Sequence, residues 1–184
     1  MLIFGILYCA SIVYLHKYVP ARHALEHISC NTQEVILYRS QGNTFLIDDG
    51  ALGRSPSYDS WIQFTLLPHL RKKYATTTVD YLLLLKPSTR IFDAVKALCN
   101  TTIVHTIYLV YWQGDTPRNM ARAYMQMKNI LQEQNVVLIR FGNDGVRIHY
   151  AANHYVTIRV QGKRNRHAAL TYPHCIPQFS AITI

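Results

Sequence analysis

The stretch "VDYLLLL", Val79 to Leu85, limits the fold more than any other part of this chain. Apart from Asp80 it is apolar throughout, the pattern of a strand covered on both faces. It stops at Lys86 and Pro87 and gives way to "STRIFDAV", which has helical character. A buried strand that turns into a helix is the unit of open α/β folds. In such folds the chemistry sits just past the carboxyl ends of the strands. Lys86, Pro87, Ser88, Thr89 and Arg90 occupy that place here.

The remaining segments supply neighbours for such a strand. "EVILYRS" (Glu34 to Ser40) and "TFLIDDG" (Thr44 to Gly50) are strand-like, and "QGN" between them predicts a hairpin. Asp59 or Ser60 is expected to cap a helix whose apolar residues Ile62, Leu66, Leu67 and Leu70 recur at helical spacing. Pro68 is expected to kink it. Arg71, Lys72 and Lys73 crowd its last turn, where cations complement the helix dipole. Ile91 to Cys99 predicts a short helix and "TIYLVYW" a strand. Thr116 caps a long helix with Pro117 at its first position and Met120, Tyr124, Met127 and Leu131 as its buried stripe. "VVLIRFG", "VRIHYAA" and "HYVTIRV" come next as strands. A hairpin, then alternating helix and strand, then strands alone, predicts a layered α/β sandwich with a mixed sheet.

A chain of 184 residues suffices for one domain with its own core, and a 49% hydrophobic content argues against disorder. Nineteen Lys and Arg against ten Asp and Glu leave a net charge of +9, which favours nucleic acid or an anionic membrane surface as partner. Simple solubility is the plain alternative. Cys9, Cys30, Cys99 and Cys175 form no C-x-x-C pair and no zinc-ribbon spacing, and they suggest no disulfide framework.

The first fifteen residues, "MLIFGILYCASIVYL", carry no charge. A spanning helix wants about 20 apolar residues. Tyr14, Lys17 and Tyr18 at the interface would extend the usable length. Residues 1–19 are therefore expected to be a membrane anchor, and residues 20–33 a linker. A buried first helix and a secretion signal are the alternatives. Lys17 and Arg22 favour a cytoplasmic side for the domain after the anchor.

"GNTFLIDDG", followed by "LLPHLRKKYATTTVDYLLLLKPS", resembles the carboxyl-terminal metallo-β-lactamase-like domain of the ComEC competence proteins. There an "LIDTG"-like turn, a helix ending in "LLPYLR" and a strand "DYLILSH" lead into the metal motif. The matched stretch runs from Glu34 to Leu109. The resemblance implies an α/β fold, a metallo-β-lactamase-like layered αββα sandwich with mixed sheets, over residues 34–184. The sandwich would be truncated and preceded by the short membrane-anchor helix. It further implies a place in the bacterial inner membrane, with the domain on the outer side, and a link to DNA uptake.

The same resemblance implies a lost zinc site. Active members end the strand in H-x-H-x-D-H or H-P-D-x-D-H, whose first and third positions and closing Asp-His pair hold zinc for hydrolysis by metal-bound water. On this sequence those positions fall on Lys86, Ser88, Arg90 and Ile91, and only Pro87 is kept. The family's early "DVGQGD" turn corresponds to "ISCNTQ", Ile28 to Gln33, while Asp48 and Gly50 match the later turn. The expectation is a pseudoenzyme with no catalytic residues and no metal or cofactor, zinc being the family's.

Other chemistry finds little support. His23 and His27 have i, i+4 spacing but no third ligand, and His149 and His154 read as surface or half-buried histidines. There is no G-x-S-x-G elbow, and "GALGRS" lacks the P-loop lysine. Asp48 and Asp49, as strand-end neighbours, point in different directions. Arg54, Lys86 and Arg90 would line the former catalytic cleft and hold a phosphate backbone. Arg71 to Lys73 and Lys163 to Arg166 would extend it or remain solvated charges. The alternative to the ComEC-like reading is a membrane-tethered basic module for nucleic acid or anionic lipid, or a fragment of a split competence gene.

Overall fold

In the computed structural model, which describes residues 24–111, 116–142, 145–151, 154–161 and 167–171, the apolar run lies inside a six-stranded sheet. The strands are β1 (Ala24–Cys30), β2 (Gln33–Ser40), β3 (Asn43–Asp48), β4 (Thr78–Leu84), β5 (Ile103–Val110) and β6 (Val137–Phe141), in that spatial order. β1, β2 and β3 pair antiparallel. β3 to β6 run parallel, so the sheet is mixed as expected. Gln41 and Gly42 both have positive φ, 51° and 80°, which lets two residues close the β2–β3 hairpin with the right twist.

The helices are α1 (Ala51–Arg54), α2 (Tyr58–Trp61), α3 (Leu67–Tyr74), α4 (Thr89–Thr101) and α5 (Arg118–Glu133). A π-helical turn, Ile62–Leu66, joins α2 to α3. Pro68, which has no N–H for a helical hydrogen bond, sits at the start of α3 just after this widened turn. The α2 start differs from the expected cap: Ser57, not Asp59 or Ser60, precedes the helix. α5 likewise begins at Arg118, with Pro117 in the cap position rather than inside.

The run Val79–Leu85 divides its side chains between two cores. Leu82 and Leu84 join Leu46, Ile107 and Leu109 beneath all five helices. Leu83 and Leu85 join Phe45, Ile47, Tyr108 and Val110 on the other face. That second face is covered by Ile148, Val156 and Ile158 of a three-stranded antiparallel sheet, β7 (Val146–Ala151), β8 (His154–Gln161) and β9 (His167–Thr171). The result is three layers: helices, mixed sheet, small sheet. The further helical layer of an αββα sandwich is not seen among the described residues.

The expected linker over residues 20–33 needs correction. Ala24–Cys30 is an edge strand in full register with β2, from Ala24 opposite Arg39 to Cys30 opposite Gln33. Ile28 and Cys30 enter the helix-side core. On the same face Glu26 is met by Lys73 at 2.8 Å, His69 at 2.7 Å and the Tyr74 hydroxyl, so its charge is compensated. The expected anchor, residues 1–19, lies outside the described residues. Among those described, no helix is long and apolar enough to cross a membrane.

Candidate functional site

β3 and β4 end side by side, and the Leu85 N–H donates to the Asp48 carbonyl at 3.0 Å. Each strand then turns into a helix at the same edge of the sheet. After β3 the turn is Asp48-Asp49-Gly50, with Gly50 at φ 97°, a left-handed conformation that glycine adopts freely. After β4 it is the Lys86–Ser88 loop. The two turns face each other.

Asp48 is fully buried. Its Oδ1 accepts the Leu52 N–H at 3.0 Å, and the N–H groups of Gly50 and Ala51 also point to its carboxylate. Burial pushes its pKa up to about 6; those N–H groups pull it down, and the Asp49 charge adds to the rise. Asp48 Oδ2 and Asp49 Oδ1 are buried with no hydrogen-bond partner among the described residues. Asp49 Oδ2 accepts from Lys86 Nζ at 2.8 Å. The Lys86 stem lies over Gly50, where a Cβ would come within 3.4 Å of Lys86 Cβ.

Ser88, Arg90 and Ile91, the other positions that the resemblance sets against a metal motif, each make contacts within the fold. Ser88 caps α4: its Oγ accepts the Ile91 N–H at 3.3 Å and its carbonyl the Phe92 N–H at 3.1 Å. Ile91 is buried against α1, where a Cβ on Gly53 would fall 2.6 Å from Ile91 Cγ1. Arg90 is exposed and donates from Nη2 to the Ser55 carbonyl at 3.4 Å. Arg54 is exposed at the end of α1. Together these turns enclose a cleft of about 450 Å³ that Arg54, Lys86 and Arg90 all line.

Zinc requires several imidazole, thiolate or carboxylate donors at about 2.0–2.3 Å. Here the ammonium of Lys86 is held by Asp49, the Ser88 hydroxyl caps a helix, and Ile91 belongs to the core. Among the described residues no three His, Cys, Asp or Glu side chains converge. The residues at these four positions do not fit the family's metal.

The other residues noted in the sequence lie apart from this cleft. His27 Nδ1 is 2.8 Å from Glu34 Oε2 at the surface, and His23 lies outside the described residues. His149 is exposed, with its ring 5.6 Å from that of Tyr155; the His154 side chain lies outside what is described. Cys30 and Cys99 are buried, and burial pushes both thiols up, Cys99 to about 12, so neither is poised as a nucleophile. Cys9, Cys175 and Lys163 to Arg166 fall outside the described residues. Arg71 and Lys72 are exposed at the end of α3, while Lys73 is paired with Glu26.

Two features were not foreseen. One is the close approach at Gly53. The other is a second cleft, of about 490 Å³, lined by Thr89, Asp93, Arg118 and Arg122 among others. Thr89 lines both clefts, so they adjoin. No protein-family model matches this chain, and no curated protein matches it.

Proposed function

We propose that this chain is a zinc-free relative of the ComEC metallo-β-lactamase-like domain, held at the membrane through residues 1–19 and tied to DNA uptake by descent. The single observation that carries this is the Lys86–Asp49 ion pair at 2.8 Å, set where β3 and β4 end together. That edge is where the resemblance puts the metal. A cation fixed there opposes a second cation by about 4 kcal/mol per unit charge at 4 Å and an effective dielectric of 20. The antiparallel β1–β3 unit continuing into parallel strands, with helices on one face and a second sheet on the other, supports the fold half of the reading.

The test is hydrolysis of phosphodiester substrates by the full chain with added zinc or manganese. No turnover above the uncatalysed rate is expected. Turnover that disappears in Asp48→Asn would overturn the pseudoenzyme assignment. A neighbouring reading frame encoding a competence-type channel would support the descent.

A further inference from the structure

We infer that the two adjoining clefts form one groove that holds the phosphate backbone of a single nucleic-acid strand, gripped by Arg54, Arg90, Arg118 and Arg122. This deepens the reading above by naming the partner of the former catalytic edge. It rests on that reading only for preferring nucleic acid to other polyanions.

The groove carries an uncompensated positive charge. Asp93, the one carboxylate among its lining residues, is paired with Lys96 at 2.6 Å, and Asp49 next to it is paired with Lys86 at 2.8 Å, while Asp48 lies buried beneath. Arg54, Arg118 and Arg122 have no ion-pair partner among the described residues, and Arg90 reaches only the Ser55 carbonyl. Four guanidinium groups thus remain for an external anion, and guanidinium matches phosphate in a bidentate fork.

Two of these arginines, Arg90 and Arg118, also stand where a helix does not favour them. A helix start favours acidic side chains and disfavours basic ones. Neither α4 nor α5 has an acidic residue in its first turn. Arg90 instead stands second in α4, Arg118 opens α5, and Arg122 follows one turn later. Both helices follow neighbouring parallel strands, β4 and β5, so their starts share the carboxyl edge of the sheet. A local preference broken at two helix starts is offset when an anion bridges them, since the helix ends and the guanidinium groups then act on the same charge.

The shape favours a strand over a membrane. Two concave clefts of about 490 and 450 Å³ joined at Thr89 admit a flexible backbone, whereas a flat layer of lipid headgroups meets only their rims. Four phosphate contacts predict a salt slope of about −3, roughly a fifty-fold loss of affinity between 50 and 200 mM salt.

The experiment is fluorescence anisotropy of a labelled single-stranded DNA oligonucleotide with the full chain, with phosphatidylserine vesicles as a parallel arm. The groove variant is Arg118→Glu with Arg122→Glu. The control is Arg71→Glu with Lys72→Glu, which removes equal charge from the end of α3. The expected result is a loss of at least ten-fold in the groove variant, with the salt slope reduced by about half, and a change under two-fold in the control. Melting of the groove variant should not fall, because glutamate suits a helix start. Equal losses in both variants, no binding at low salt, or binding to vesicles alone would overturn the proposal. Metal analysis of the same sample separates the two claims: stoichiometric zinc sinks the zinc-free reading, whatever the DNA result.

Discussion

Lys86 Nζ and Asp49 Oδ2 meet at 2.8 Å across the ends of two parallel strands, and beside them Asp48 is buried with one oxygen unpartnered among the described residues. One lysine therefore partly compensates a pair of carboxylates at the carboxyl end of β3.

Replacing Lys86 by Met leaves Asp49 half-buried without its counter-charge. A loss of about 1–2 kcal/mol is expected by urea denaturation. Asp49→Asn added to that variant should recover part of the loss, and a double-mutant cycle gives the coupling. Additive losses would mean that the pair contributes nothing.

Asp48 sets a pH dependence of unusual sign. Its ordinary value is 3.8 and its folded value about 6, so the unfolded chain ionises first as pH rises. Stability from this group is full below pH 3.8 and is lost as pH rises to 6. The loss is about 3 kcal/mol, roughly two pH units at 1.36 kcal/mol each. Subtracting the stability profile of Asp48→Asn from that of the parent should isolate this slope. A flat difference between pH 4 and 7 contradicts it.

Glu26 behaves in the opposite way. Burial raises its pKa, but Lys73, Tyr74 and His69 together outweigh burial and hold it below its ordinary 4.5. Its contribution is present above pH 4.5 and is lost as pH falls through the lower folded value. Glu26→Gln should cost about 2 kcal/mol at pH 7. The cost should shrink in acid, where β1 is no longer held to α3 by charge. Melting curves at pH 7 and pH 3 check this.

Much of the fold was legible in the sequence. The apolar run at Val79–Leu85, the hairpin turn and the helical character of Ile91 to Cys99 each state a local preference that the fold obeys. β1 was not legible because Glu26, His27 and Ser29 make it look polar. The partners that compensate Glu26 arrive from α3, more than forty residues later. Lys86 was legible as standing at a strand end, whereas its pairing with Asp49 depends on which strands become neighbours. The same holds for Arg90 and Arg118, which lie far apart in the chain and come to one edge only through parallel crossovers. Gly53 gave no signal beyond being glycine. Its role is a distance to Ile91, which only packing sets.

That distance makes its own forecast. Gly53→Ala places a methyl carbon 2.6 Å from Ile91 Cγ1 and 3.0 Å from Ser88 Oγ. Overpacking of this kind costs about 1–3 kcal/mol. Ile91→Ala should cost less in the Gly53→Ala chain than in the parent, because it removes Cγ1, the atom in the tightest contact. Thermal melting of the single and double variants decides the matter.

The most direct measurement is zinc content of the full chain after equilibrium dialysis against zinc and then against metal-free buffer. With Lys86, Ser88, Arg90 and Ile91 at the motif positions, the expected result is no stoichiometric zinc, unchanged in Asp48→Asn. One or two zinc ions retained per chain and released by Asp48→Asn or Asp49→Asn would contradict the central claim, because they would show that this edge of the sheet holds a metal centre.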